Sequence, residues 1–175
     1  MKKLLLYCTK EKNKFDILLP DEYYGKYLYH CPYEKFYYQK LNGEIVGVCE
    51  CDKVEEITCY SGYKTKSLLT EKLYERTCLD SIDMHRYLKM ENGYALYLKN
   101  VYLFDSPKQL KDFQIKRAPQ NMMYVYDSDG NKYILISIKP KHLKNIINGK
   151  KTIEVRRKIL NDLKELIPYD KERSN

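Results

Sequence analysis

The chain reads as an α+β protein, a small, curved, mixed and largely antiparallel sheet with flanking helices that forms a partly open β-barrel. Three observations carry this reading. Short runs with strand alternation are scattered along the whole sequence. Segments with helical spacing fall between them. Turn signals at Asn42-Gly43 and Asp127-Ser128-Asp129-Gly130 separate neighbouring runs.

Lys2–Tyr7 is a short apolar strand. Residues 10–43 form a Tyr-rich insertion holding Tyr23, Tyr24, Tyr27, Tyr29, Tyr33, Tyr37 and Tyr38. Pro20, Gly25 and Pro32 break it, and a short helix is expected near 33–39. Glu44–Tyr60 is a long strand rich in β-branched residues, with Gly47 marking a bulge. Thr65–Thr77 places Leu68, Leu69 and Leu73 on one helical face, and Ser81–Met90 is a second helix capped by Asp80 or Ser81. Gly93–Phe104 alternates as a strand, with Tyr94, Leu96 and Leu98 on one side. Pro107 is expected to open a helix ending at Phe113.

Met122–Tyr126 and Lys132–Ile138 should pair as an antiparallel hairpin. Pro140 opens the next helix, Leu143, Ile146 and Ile147 give it an apolar stripe, and Gly149 ends it. Along Thr152–Arg156, Ile153 and Val155 face the core, while Thr152, Glu154 and Arg156 face the other way. Ile159–Ile167 has helical spacing and ends at Pro168, so residues 158–175 supply a C-terminal helix and a polar tail.

At 175 residues, with 43% apolar and 32% charged residues, the sequence fits one domain spanning 1–175. Leu4-Leu5-Leu6-Tyr7 is too short for a signal-peptide core. No apolar run approaches the roughly 18 residues of a membrane span. A cytoplasmic protein with no membrane role is expected. The six cysteines lack paired metal-ligand spacing, so reduced thiols are expected, with no metal and no cofactor.

The charge is uneven. Lys139 to Lys158 holds eight Lys/Arg and one acid, Glu154, a net +7 against +8 for the chain. Such a concentration suits an anion, most simply a nucleic-acid phosphate. Lys139, Lys151 and Arg156 are the candidate phosphate ligands, and a tyrosine such as Tyr94 a candidate stacking partner. Lys151 and Glu154 are the candidate catalytic pair if the protein is an enzyme, with Glu50 or Tyr94 in support. The plainer reading has Glu154 and Arg156 neutralising each other across a pleat. His85 and His142 read as surface or packing residues.

Residues 134–157 resemble the opening motif of the ASCH family in the PUA-like superfamily: a strand, Ser137-Ile138-Lys139-Pro140, a helix, then Gly149, Lys151, Glu154 and Arg156 in a Gly-x-Lys-x-x-Glu-x-Arg pattern. Val46-Gly47-Val48-Cys49-Glu50 resembles the family's second conserved strand, with Val48 where an acid is usual. Gly93-Tyr94-Ala95-Leu96 resembles a Gly-Tyr-Ala strand of phage and bacterial members. Pro107 to Phe113 and Ala118-Pro119-Gln120-Asn121 resemble the closing segment, with Asn121 where a Ser is common.

The order differs from the family's, in the pattern of a circular permutation. The closing strand runs through Asp127–Gly130 straight into the opening one, and the chain starts at the strand that normally follows the Glu-x-Arg pattern. The displaced motif completes the barrel either in cis, as a monomer, or in a swapped dimer.

The resemblance implies a cleft lined by the motif's Lys and Glu, and a partner that is RNA or a nucleotide-derived ligand such as a modified nucleoside. It also leaves open a nucleoside amidohydrolase or a ribonuclease. The small amidohydrolases carry Thr where this chain has Glu154, which weakens a direct transfer of their mechanism. A third alternative is a protein-interaction module working through residues 10–43.

Overall fold

A computed structural model describes residues 1–10, 43–59 and 67–168. The strands are β1 (Lys2–Cys8), β2 (Glu44–Thr58), β3 (Ser67–Leu68), β4 (Asn92–Lys108), β5 (Met122–Tyr126), β6 (Lys132–Ile138) and β7 (Ile153–Arg156). The helices are α1 (Glu71–Thr77), α2 (Ser81–Leu88), α3 (Pro140–Ile147) and α4 (Asn161–Lys164). Six strands lie side by side in the order β5-β6-β1-β2-β4-β7, and the short β3 pairs with β2 off this path. The β1–β6 and β2–β3 pairs are parallel and the others antiparallel, so the sheet is mixed.

The expected hairpin forms: Met122 pairs with Ile136 and Tyr126 with Lys132 in the same chain. Residues 132–156 are therefore built into the sheet of their own chain, β6 beside β1 and β7 beside β4. Two register shifts flank Gly47, between Ile45 and Gly47 and again between Val48 and Glu50. A Cβ at Gly47 would collide with the Tyr102 carbonyl, so the bulge needs glycine there.

Both faces of the sheet are covered. Leu4, Leu6, Val54, Leu96, Leu98, Ile134, Ile136 and Ile138 join Leu143 and Ile146 of α3 and Leu163 of α4 in the main core. On the opposite face α1 and α2 cover one end, packing Leu73, Met84 and Leu88 on Ile57, Ala95, Ile153 and Val155. Leu110, Phe113 and Ile115 cover the other end against Leu5, Tyr7, Val125 and Leu135. Continuous burial of Leu4 to Cys8 in β1 follows from this double covering.

The alternation expected along Ile153–Arg156 forms, with all four residues buried. Glu154 and Arg156 lie on the face that Leu96 and Tyr94 share through the β4–β7 register, against the main core and opposite Ile153 and Val155. Three expectations need correction. The first helix starts at Glu71, because the Thr70 side chain accepts from the Leu73 N–H and caps it there. Pro107 does not open a helix: β4 runs to Lys108, and a 3-10 turn, Leu110–Phe113, starts at a Gln109/Asp112 capping box. The C-terminal helix is one turn, Asn161–Lys164, that buries Leu163.

The expected short helix near 33–39 and the rest of the Tyr-rich insertion from residue 11 to 42 lie outside the described residues. The sheet is mixed and is not closed by a strand ladder: β5 and β7 are its two edges. No helix among the described residues is long and apolar enough to cross a membrane.

Candidate functional site: a buried Lys–Glu–Arg cluster at the sheet seam

Gly149, with φ +76, ends α3 in the left-handed conformation that glycine tolerates. The chain is then steered by backbone hydrogen bonds. The Lys151 N–H donates to Asn145 O at 2.8 Å and the Thr152 N–H to Arg76 O at 2.9 Å. The Thr152 carbonyl accepts from the Leu98 N–H, which leads directly into β7. This path turns the Lys151 side chain inward, to 3% exposure.

Its Nζ donates to Thr77 O at 2.7 Å. Thr77 is the last residue of α1, so the ammonium serves a carbonyl at the negative end of that helix. The same Nζ lies 3.1 Å from Glu154 Oε2.

Glu154 is 6% exposed and stands between two cations. Its Oε1 accepts from Arg156 Nη2 at 2.8 Å. Its Oε2 is buried and has no hydrogen bond of good geometry, since Lys151 approaches in ion-pair range without alignment. Burial by itself pushes this carboxyl's pKa up. The Arg156 and Lys151 charges outweigh it and hold the group below the ordinary carboxylate range. Glu154 is therefore a carboxylate at neutral pH.

Arg156 uses its fork to join the two sides of the seam. Nη2 also donates to Ser137 O on β6 at 2.7 Å, and Nη1 reaches Asn121 Oδ1 at 3.3 Å. Asn121 Nδ2 donates to Lys158 O at 2.8 Å, and its carbonyl accepts from the Ser137 N–H. Ser137 Oγ donates to Pro119 O at 2.6 Å. Side chains thus tie 156–158 to Ser137 and to 119–121, with no strand ladder between β7 and β6.

His142, in the first turn of α3, keeps a buried Nδ1 with no partner. Burial and the Lys151 charge lower its pKa, against an opposing pull from Glu154. His142 is half-buried and feels the charges of this cluster, which fits its reading as a packing residue. Nothing in its sequence spacing distinguished it. Asn121 had a signal, as the residue standing where the resembling family has Ser. Thr77 had none.

The structure brings three of the sequence-nominated residues together and places the other three apart. Lys151, Glu154 and Arg156 come together, as their spacing suggested. Lys139 is exposed at the N-cap of α3, two residues beyond the Ser137 carbonyl that Arg156 holds. Tyr94 is half-buried against the main core, opposite Arg156 in the β4–β7 register. Glu50 accepts from Asn100 Nδ2 at 2.6 Å and belongs to a different contact. Among the described residues no group of three or more His, Cys, Asp or Glu could hold a metal ion.

Around the seam the surface is basic. Arg117, Lys139, Arg157 and Lys158 are exposed, each within two residues of a tied position. No acidic partner is found for any of the four among the described residues, whereas Lys2, Lys53, Lys99 and Lys132 all have one. No family model, curated protein or solved structure matches this chain.

Proposed function

We propose that the protein binds RNA or a nucleotide-derived ligand at the seam, as a circularly permuted ASCH-like domain whose open sheet is the family's partly open barrel. The observation that carries the reading is the set of exposed cations with no acidic partner among the described residues (Arg117, Lys139, Arg157 and Lys158), each within two residues of a position tied to a buried cluster that itself has one excess positive charge. Unpaired surface cations attract phosphates and release counterions. The in-cis placement of β6 and β7 supports the permuted arrangement.

Lys151 and Arg156 take a different role from the one their charges first suggest. Both are buried and already hold Glu154 and backbone carbonyls, so phosphates meet the exposed rim while the buried cluster shapes the floor beneath it. The test is binding of a short single-stranded RNA at two ionic strengths. Affinity should fall steeply with salt, with a log–log slope of about 0.7 per phosphate engaged. Lys139→Ala and Arg157→Ala should each reduce that slope. A slope near zero overturns the reading.

A second reading, a small hydrolase, is favoured by one observation. Glu154 is a buried carboxylate whose Oε2 stands 3.1 Å from the Lys151 ammonium, the kind of contact an acid–base couple requires. Product analysis after incubation with N4-acetylcytidine and with short RNAs decides it. No turnover at high enzyme concentration removes it.

A further inference from the structure

On the sheet face opposite the main core, α1 and α2 cover one end and Leu110, Phe113 and Ile115 cover the other. Between these covers lies a strip where Lys3 of β1, Asp52 of β2 and Lys99, Asn100 and Tyr102 of β4 are exposed. Tyr102 is 53% exposed. It stands opposite Val48 in the β2–β4 register and, through Val48, in one row with Leu5 of β1. Leu103 turns into the main core, so Tyr102 and Phe104 share the other face.

Ring contacts fix the arrangement. The Tyr102 and Phe104 rings meet edge to face, with centroids 6.3 Å apart and planes at 71°. Lys108 Nζ lies 4.7 Å from the Phe104 centroid and 5.7 Å from that of Phe113. Phe104 is thus shared by Lys108 and Tyr102, which sets an ammonium beside an aromatic ring that stays open to solvent.

Charge selects the partner. Asp52 pairs with Lys99, and Glu50 accepts from Asn100 Nδ2. Lys3 and Lys108 are exposed, and no acidic partner is found for either among the described residues. Lys3 shares its face with Leu5, two strand spacings or about 10 Å across the sheet from the strand of Tyr102. An exposed ring flanked by two uncompensated cations fits a chain of anions that also presents flat apolar faces.

We propose that this strip is a second contact surface for single-stranded nucleic acid, one base stacking on Tyr102 and neighbouring phosphates meeting Lys108 and Lys3. It goes beyond the seam reading, since it shares the ligand class and none of the residues and lies on the opposite sheet face. Base–aromatic stacking tolerates any sequence, because every base presents a π-face. A duplex keeps its bases stacked on each other and has none to offer the ring.

The chain has no tryptophan, so Tyr102→Trp places a single indole reporter at the site. Pentauridylate is titrated into this protein, alone and with either Lys108→Gln or the seam pair Lys139→Ala and Arg157→Ala added. An RNA duplex and thermal melts run in parallel. Pentauridylate should quench the indole emission, and the duplex should leave it unchanged. Lys108→Gln should move quenching to higher RNA concentration and lower its log–log salt slope by about 0.7. The seam pair should leave the quenching curve in place. In the reporter-free chain, Tyr102→Ala should weaken this class of binding about 5- to 150-fold with no loss of melting temperature.

RNA binding without quenching overturns the inference and leaves the seam reading standing. So does quenching that disappears with the seam pair while the melts are unchanged. Quenching in a protein whose RNA binding ignores the seam pair altogether upholds the strip and overturns the seam. Absence of RNA binding by the wild type overturns both.

Discussion

Two carboxylates in this protein each stand between two cations, and the two sites differ in burial and in how closed they are, since Lys2 of the exposed one also pairs with Glu165 at 2.8 Å. Glu154 sits between Lys151 and Arg156, with side-chain exposures of 8%, 2% and 10%. Asp162 sits between Lys132, at 2.9 Å, and Lys2, at 3.9 Å, with exposures of 24%, 40% and 28%. Tyr124 OH also donates to Asp162 Oδ1 at 2.9 Å. In the first cluster every group has left water, so each polar atom counts and the spare donors are spent on Thr77 O and Ser137 O. In the second, solvent screens the charges, and the energy of the segment lies in Leu163, which is fully buried. The buried cluster organises the backbone around it, whereas the exposed one decorates an apolar anchor.

The harshest way to break this comparison removes both clusters together. A chain ending at Gly130 lacks β6, β7, α3 and α4, so β1 and β4 each lose a sheet neighbour and the main core loses Ile134, Ile136, Leu143, Ile146 and Leu163. It should show no cooperative melt by circular dichroism. A soluble 1–130 fragment that melts cooperatively would mean that the motif is an appendage and not part of the core.

Glu154→Gln separates the clusters. It leaves two buried cations without their counter-charge, and urea unfolding should show a loss of about 3–5 kcal/mol. A loss below about 1 kcal/mol would place the cluster among solvent-screened pairs. Leu163→Ala makes the matching cut on the other side and should cost about 2–5 kcal/mol through lost burial and a cavity. Asp162→Asn, one residue away, should cost far less. If the ranking within that pair is reversed, the exposed cluster is more than decoration.

Acid titration sharpens the contrast further. The folded pKa of Glu154 is depressed, so its stabilisation is present above the unfolded carboxylate value of about 4.3 and is lost as pH falls through the folded value. His142 is depressed as well, chiefly by burial, and the unfolded chain then binds the extra proton first. Stability should begin to fall below about pH 6.5, well before carboxylates protonate. His142→Gln should flatten the profile between that pH and the carboxylate range and leave the acid limb in place. An unchanged upper limb would show that another group titrates there.

Much of the fold was legible because its signals are local. The Asp127–Gly130 turn, Pro140 at a helix start and Gly149 at its end each act within a few residues. The Gly-x-Lys-x-x-Glu-x-Arg spacing also brought the right three charges together. Their burial was not legible. Lys151 turns inward for a carbonyl 74 residues away in sequence, and Arg156 for one 19 residues away. On an alternating strand, Glu154 and Arg156 read as facing away from Ile153 and Val155, toward a cleft. Arg156 instead reaches across to Ser137 on β6 and to Asn121 just before β5, and that face of β7 is buried. The helix expected over Thr65–Thr77 starts at Glu71 for a local reason, since Thr70 caps it there.

The smallest expected effect tests the exposed cluster itself. The Asp162 pKa is lowered first by its hydrogen bond from Lys132 and then by Tyr124, but the carboxylate stays in contact with water. Screening acts over a Debye length of about 10 Å at 0.1 M salt, so the attraction to Lys132 and Lys2 should fade as salt rises. The stability gap between wild type and Asp162→Asn should shrink between low and high salt. The gap for Glu154→Gln should barely change, because no ions reach the buried carboxylate. Measuring both gaps in the same urea series makes each the control for the other. Equal salt sensitivity would show that water and ions enter the seam, and the distinction between the two clusters would then fail.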